Sequence, residues 1–334
     1  MRADVLAKRR SDELLTEMFK QAIAHAKIDP ALIGDICVGT VLPAGATYEA
    51  RTAALAAGIP ESVPVQTINR FCSSGLMATT TISNQIAARP DSGPSSASDE
   101  IKSVSRAADA LQPMGWTSEN VAGDFKISRE DMDAFSAMSF QRAERAQQTG
   151  AFDDEIVPFT ALQKDGSEAG GRKKVVVTKD DGVRPGTTKE TLGKIKAAFP
   201  QWAPAQTTGG NASQITDGAA AVLLMSRRKA EELGLPVLAK HVTTAVAGVA
   251  PRIMGIGPSV AIPKVLAAAG ITKEDVDVFE INEAFASIWV TSRATGARQI
   301  ATGLNALKHR NGKVLVTSMC IGTGMGAAGV FVVD

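Results

Sequence analysis

The 334-residue chain sets 36 Lys and Arg against 35 Asp and Glu, so no overall basic field points to nucleic acid or an anionic membrane surface. With 44% hydrophobic but only 4% aromatic residues, it is expected to fold around an aliphatic core large enough for two or three domains. Three cysteines without a C-x-x-C pair argue against a disulfide framework or a zinc site and fit a reducing compartment. Apolar runs are broken by charge or proline, as at Pro251-Arg252 and Pro263-Lys264, so neither membrane insertion nor a secretory signal is expected.

Residues Met1 to Arg10 are polar and basic, after which Ser11-Asp-Glu caps a helix with Leu14, Leu15, Met18, Phe19, Ala22 and Ile23 on one face. Ile33 to Leu42 reads as a strand holding Cys37 as an inert core thiol, and Tyr48 to Ala57 as a helix stopped at Gly58. Val65 to Ile68 is a β-branched strand, and Ser73, Ser74 and Gly75 then open a helix that runs to about Ala88. Cys72 falls at that helix N-terminus, where orphan N–H groups and the dipole favour a thiolate; the alternative is a buried cysteine packing as a small hydrophobe.

An α/β pattern calls for a strand after Ala88, yet Arg89 to Ser98 is polar and turn-forming. Gly115-Trp-Thr-Ser-Glu-Asn begins a helical stretch, and Ser128-Arg-Glu-Asp leads a helix carrying Met132, Phe135, Met138 and Ala143. Arg172 to Thr178 is basic and hairpin-like. Ala219 to Met225 reads as a buried-type strand, followed by a helix from Arg227 to Leu233 stopped at Gly234. A second α/β series has a strand from Leu238 to Val249, a helix Ser259 to Ala269 closed by Gly270, and a strand Val276 to Ile281. Helix-like residues follow through Val290, then a helix Ala297 to Lys308 with Ile300, Leu304 and Leu307 on one face. The last apolar strand ends at Cys320; Gly322, Gly324 and Gly326 allow positive φ and close backbone approach before a return strand, Ala327 to Val333.

Four segments, Asn69-Arg-Phe-Cys-Ser-Ser-Gly75, Gly210-Asn-Ala-Ser-Gln-Ile-Thr-Asp-Gly-Ala219, Glu280-Ile-Asn-Glu-Ala-Phe-Ala286 and Cys320-Ile-Gly-Thr-Gly-Met-Gly326, together resemble the thiolase family and come in its order. Within the family the chain is most similar to fungal peroxisomal 3-ketoacyl-CoA thiolases, which are acetyl-CoA C-acyltransferases. The resemblance implies two related βαβαβαββ halves in five layers, αβαβα, with an inserted loop domain over the coenzyme A. The expected division is 1–112 for the first part of the N-terminal half, 113–205 for the loop domain, 206–234 for its return strand and helix, and 235–334 for the C-terminal half.

The same resemblance implies Cys72 as acyl-thioester nucleophile, Cys320 as proton donor and acceptor, the Gly322 N–H as oxyanion donor, Asn282 as holder of an oxyanion-site water, and Ser213 facing the pantetheine. On spacing alone Asn282 is equally a helix cap and Ser213 a turn residue. Acyl-CoA and coenzyme A are the implied substrates, with no separate cofactor or metal, a homodimer pairing near Val65 to Ile68, and β-oxidation in the peroxisome as the setting. No Ser-Lys-Leu or Arg-Leu…His-Leu address is read in the chain.

The chain departs from the family in three places: an opening strand, the strand after Ala88, and the glycine-rich strand and loop before Thr295 whose Gly-His-Pro histidine activates the nucleophile. His25, His241 and His309 all lie outside such a context. The gaps are expected to leave apolar helix faces uncovered and to impair activity. Two alternatives follow: a non-catalytic thiolase-like protein that binds acyl-CoA or dimerises, and a β-ketoacyl synthase, against which the Cys320-Ile-Gly-Thr-Gly motif argues.

Overall fold

A computed structural model describes residues 11–41, 46–87, 109–110, 112–164, 172–214, 218–287 and 296–334. The calls on Met1 to Arg10, on Arg89 to Ser98 and on the stretch from Ile288 to Thr295 lie outside the described residues.

The first half opens with helix α1 (Ser11–Ala26), strand β1 (Ile36–Gly39), helix α2 (Ala46–Ala56), strand β2 (Val65–Ile68) and helix α3 (Ser74–Ala87). Gly58 ends α2 at φ 86°, as its position after the helix required. β1 and β2 pair in parallel, Ile36 against Val65 through Gly39 against Ile68. The expected strand Ile33 to Leu42 is thus trimmed to four residues. Phe19, Ala53, Ala54, Ile59 and Val63 bury the faces of α1 and α2 against this small sheet. On its other side α3 sits so close to β1 that a Cβ on Gly39 would lie 2.4 Å from the Ser74 carbonyl carbon.

The middle of the chain forms α4 (Met114–Asp124), α5 (Arg129–Gln148), the antiparallel hairpin β3 (Phe159–Lys164) and β4 (Arg172–Val177), and the short α6 (Lys189–Gly193). Ser128 closes a capping box with Asp131, which fixes the start of α5.

The second half holds α7 (Arg227–Glu232), β5 (Lys240–Gly248), α8 (Gly257–Ala269), β6 (Val278–Ile281), α9 (Ala297–Arg310), β7 (Val314–Ile321) and β8 (Met325–Val332). Its sheet runs β5-β8-β7-β6, with β6 parallel to β7 and the other pairs antiparallel. Ala261, Val265 and Leu266 of α8 pack on one face with Val316, Ala328 and Val330. On the other face Leu315, Met319, Ile321 and Phe331 meet Ile300 and Leu307 of α9 together with Leu76 and Met77 of α3. The order of layers is therefore α8, large sheet, α9 with α3, small sheet, and α1 with α2. The segment Pro251–Ala269 is long and apolar enough to cross a membrane by length and composition. It is a 3-10 turn kinked at Ile253 that leads into α8, whose buried side chains serve the core just described.

Two expectations are corrected. Ala219 to Met225 is not a strand: the described residues from 218 to 226 carry no ladder, and Leu223 is exposed. A strand exists only with a partner, and among the described residues none lies beside this segment. The residues after Ile281 do not form a helix either; Asn282 to Ser287 turn, with Phe285 bridged to Ala212. Beside 218–226 runs a groove of about 2300 Å³, lined among others by Leu14, Met18, Ile86, Leu223, Leu238 and Leu304. It borders α1, α3, α9 and the unpaired segment.

Candidate active site

The turn before α3 is built by its own polar residues. Asn69 Oδ1 accepts the Phe71 N–H (2.9 Å) while its Nδ2 donates to Val41 O (3.0 Å), and Ser74 Oγ donates to Phe71 O (2.7 Å) and accepts the Arg70 N–H (2.9 Å). These bonds hold Phe71 at φ 46° and leave Cys72 exposed, two residues before the first helical residue. The N–H groups of Ser73 and Ser74 already serve Arg70 O and Phe71 O, so less of the helix end is free for the thiol than its position in the sequence suggests.

Cys320, the next-to-last residue of β7, lies opposite Gly326 and is fully buried. Its thiol is pushed up to about 12, first by burial and then by the neighbouring Cys72. Cys72 is thus a neighbour of Cys320, and α3, which it precedes, packs Leu76 and Met77 with Met319 and Ile321 of β7. The following turn is carried by Thr323 at φ 71° and Gly324 at φ 93°, and Gly324 O accepts the Val249 N–H at 2.8 Å. A Cβ on Gly326 would lie 2.2 Å from Gly257 O, so β8 and the start of α8 touch backbone to backbone. Gly322 faces Met114 at the start of α4, whose Sδ would lie 3.5 Å from a Cβ there.

Asn282 follows β6 and donates its N–H to Ser318 O at 2.9 Å. It is buried, and among the described residues its Oδ1 has no hydrogen-bond partner; it caps no helix, since a turn follows it. The Asn-Ala-Ser loop and the Asn-Glu-Ala-Phe-Ala segment form one antiparallel bridge: Ser213 N donates to Ala284 O (2.9 Å) and Ala286 N to Asn211 O (2.8 Å). Ser213 lies at a cavity of about 240 Å³ shared with Phe135, Ser139, Phe140, Glu280 and Arg298.

The three histidines have other partners. His241 contacts Ser83 Oγ and Thr244 Oγ1, both at 2.8 Å, with burial lowering its basicity, and His309 lies 3.0 Å from Asn305 O. His25 lines the large groove. Among the described residues no cluster of His, Cys, Asp or Glu is placed to hold a metal. Cys37 is half-buried, its thiol raised to about 11 chiefly by burial.

Sequence reasoning missed several buried polar groups that brace this region. Glu119 accepts the N–H groups of Gln206 (2.9 Å) and Thr207 (2.7 Å); its place among small residues of a core helix was the available signal. Arg298 pairs with Asp180 (2.8 Å) and Glu155 (3.2 Å), and Gln299 is fully buried. Neither had a sequence signal.

The family described as thiolase, N-terminal domain, matches residues 2–92 and 97–228, and thiolase, C-terminal domain, matches 235–294 and 292–333. The chain belongs to the thiolase family. The peroxisomal 3-ketoacyl-CoA thiolase of Yarrowia lipolytica is 48% identical over 368 aligned residues, covering 97% of this thiolase and 87% of the relative. The human peroxisomal 3-ketoacyl-CoA thiolase is 45% identical over 362, covering 96% and 84%. Among solved structures, the dimeric peroxisomal thiolase of Saccharomyces cerevisiae has TM-score 0.84 at 39% identity, covering 98% of this thiolase and 92% of that chain. Human mitochondrial 3-ketoacyl-CoA thiolase in complex with CoA gives 0.83 at 30%, covering 98% and 93%. These likenesses agree with the α/β layers described above.

Proposed function

We propose that this thiolase is a 3-ketoacyl-CoA thiolase, an acetyl-CoA C-acyltransferase that cleaves 3-ketoacyl-CoA with coenzyme A in β-oxidation. The observation that carries the reading is the packing of α3, which Cys72 precedes, on β7, which carries Cys320: Leu76 and Met77 cluster with Met319 and Ile321, and Cys72 is near enough to act on the Cys320 thiol. Cys72 Sγ, as thiolate, attacks the keto carbon; the C2–C3 bond breaks, and its electron pair goes to the departing acetyl-CoA carbon, which takes the Cys320 proton. The Cys320 thiolate then takes the proton of the incoming coenzyme A, whose sulfur attacks the Cys72 thioester and releases the shortened acyl-CoA. A thiol pushed up to about 12 begins this cycle protonated, as the acid step needs.

The N–H groups of Cys72 and Gly322 receive the tetrahedral oxyanion, Asn282 holds a water at the enolate oxygen, and Ser213 faces the pantetheine, by family resemblance. Coenzyme A is substrate, with no further cofactor. The segment 113–205 acts as the loop domain over it, between the N-terminal half at 1–112 and 206–234 and the C-terminal half at 235–334. The relatives' names support a peroxisomal setting. The dimeric yeast structure supports a homodimer, and so does β2, which in the described residues pairs on one edge only.

Turnover is reduced, because the chain lacks the Gly-His-Pro histidine. Both family matches break, the second within 292–294, and the alignment with the Yarrowia lipolytica relative is longer than this chain. Cleavage of acetoacetyl-CoA and of a longer 3-ketoacyl-CoA, followed by loss of enolate absorbance, tests the reading. Slow cleavage abolished by Cys72→Ala and by Cys320→Ala is expected; cleavage that survives both would overturn it.

A further inference from the structure

The start of α9 touches the first turn of α3 and the ends of β6 and β7. Gly296, at φ 94°, lies so close to the first turn of α3 that a Cβ on it would be 2.3 Å from Leu76 N and 2.9 Å from the Gly75 carbonyl carbon. Three residues on, the fully buried Gln299 donates from Nε2 to Glu280 O at 2.9 Å and to Ser318 O at 3.0 Å. Ser318 O also accepts the Asn282 N–H, and Ser318 precedes Cys320 by two residues on β7. The amide thus ties β6 to β7 where Asn282 leaves the sheet. Between them Arg298 fastens the same turn to Asp180 and Glu155 of the middle segment.

Gly296 permits the approach to the Cys72 helix, since its φ and the backbone behind it both exclude a side chain. Gln299 is held by more than packing: both of its N–H groups are used on carbonyls of two different strands. We infer that Gly296 and Gln299 are positioning residues that set Cys72 against the Asn282 and Cys320 strand ends. This rests on the site of the proposed function and names the part of the chain that gives the site its spacing. Neither residue touches substrate in this role; they act through α3, β6 and β7.

The test reads the spacing of the thiols without needing turnover. In a Cys37→Ser background, dibromobimane anchored at Cys72 fluoresces only after its second arm captures another thiol, which here is Cys320. The parent is expected to crosslink. Gln299→Leu and Gly296→Ala are expected to crosslink at least about tenfold less, with single labelling of Cys72 kept within about twofold, because small displacements of paired groups have large rate effects. Gln299→Glu supplies a pH signature. Its buried carboxyl donates only when protonated, so its crosslinking relative to the parent should rise as pH falls, and that of Gln299→Leu should not. Should Gly296→Ala fail to fold, the two Gln299 variants decide the matter. Folded Gln299 variants that crosslink like the parent at every pH would overturn the positioning role while leaving the proposed site intact. A parent that labels at Cys72 and never crosslinks would overturn the pairing of the thiols, and the positioning role with it.

Discussion

At the scale of single residues, the environment of Glu280 makes stability depend on pH near neutrality. Burial first, then the facing Glu155 and Glu283, push its carboxyl up to about 7, against the opposing pull of Arg298. The native state therefore holds this proton more tightly than the unfolded chain. Its contribution is fully present below the ordinary carboxyl value and is lost as pH rises through about 7. A difference of this size amounts to about 3 kcal/mol. Urea unfolding at acid and at mildly alkaline pH should show the parent losing that much relative to Glu280→Gln; parallel profiles would refute the assignment. Thiol chemistry gives a second check. Cys37 and Cys320 are raised by burial to about 11 and about 12, whereas Cys72 is exposed. Iodoacetamide at neutral pH should label Cys72 first, and mass spectrometry that found Cys320 modified first would contradict this ordering. Cys72, Cys320 and Asn282 were visible in the sequence because the motifs that carry the family resemblance are runs of contiguous residues. Gln299, Arg298 and Glu119 were not, since their meaning lies in carbonyls and N–H groups brought from distant segments.

Individual elements were legible where the signal was local. Ser128 starts α5 as its capping pattern requires, and Gly58, Gly234 and Gly270 take the positive φ expected past their helices. Ser128→Ala removes the capping box and should cost about 1 kcal/mol, measured by thermal or urea unfolding. Gly326→Ala should be far more damaging, because the new Cβ meets the Gly257 backbone and two rigid elements must separate; about 3 kcal/mol or loss of folding is expected. An alanine there with parental stability would mean that β8 and α8 are less tightly apposed. The failures were non-local. The apolar run from Ala219 to Met225 has a strand's composition but no ladder, and the turn from Asn282 to Ser287 is fixed by bridging to the Asn-Ala-Ser loop. Composition reports what a segment could pair with, not whether the partner is there.

For the whole molecule, the five layers fit the two-half design read from the motifs, and a large groove runs beside the segment 218–226. Leu14 and Met18 of α1, Ile86 of α3 and Leu304 of α9 line this groove, and apolar surface left in water weakens folding by about 25 cal/mol for each Å². The segment before α9 bears on rate. In this chain the segment from Ser287 leads through only eight residues to Gly296, and no histidine lies in it. Replacing residues 288–295 with a longer segment designed to carry a glycine-rich strand and the Gly-His-Pro motif expected from the family resemblance would supply the base while keeping Gly296 and Gln299 at the start of α9. If the proposed mechanism holds, acetoacetyl-CoA cleavage by this chimera should rise by about 10²- to 10⁴-fold, the range of general-base assistance to a nucleophile. Its unfolding midpoint should rise as well. Cys72→Ala in the chimera should return the rate to background, which ties the gain to the thiolate rather than to the graft. A chimera that folds more stably without any gain in rate would show that Cys72 is not the group a histidine here would activate.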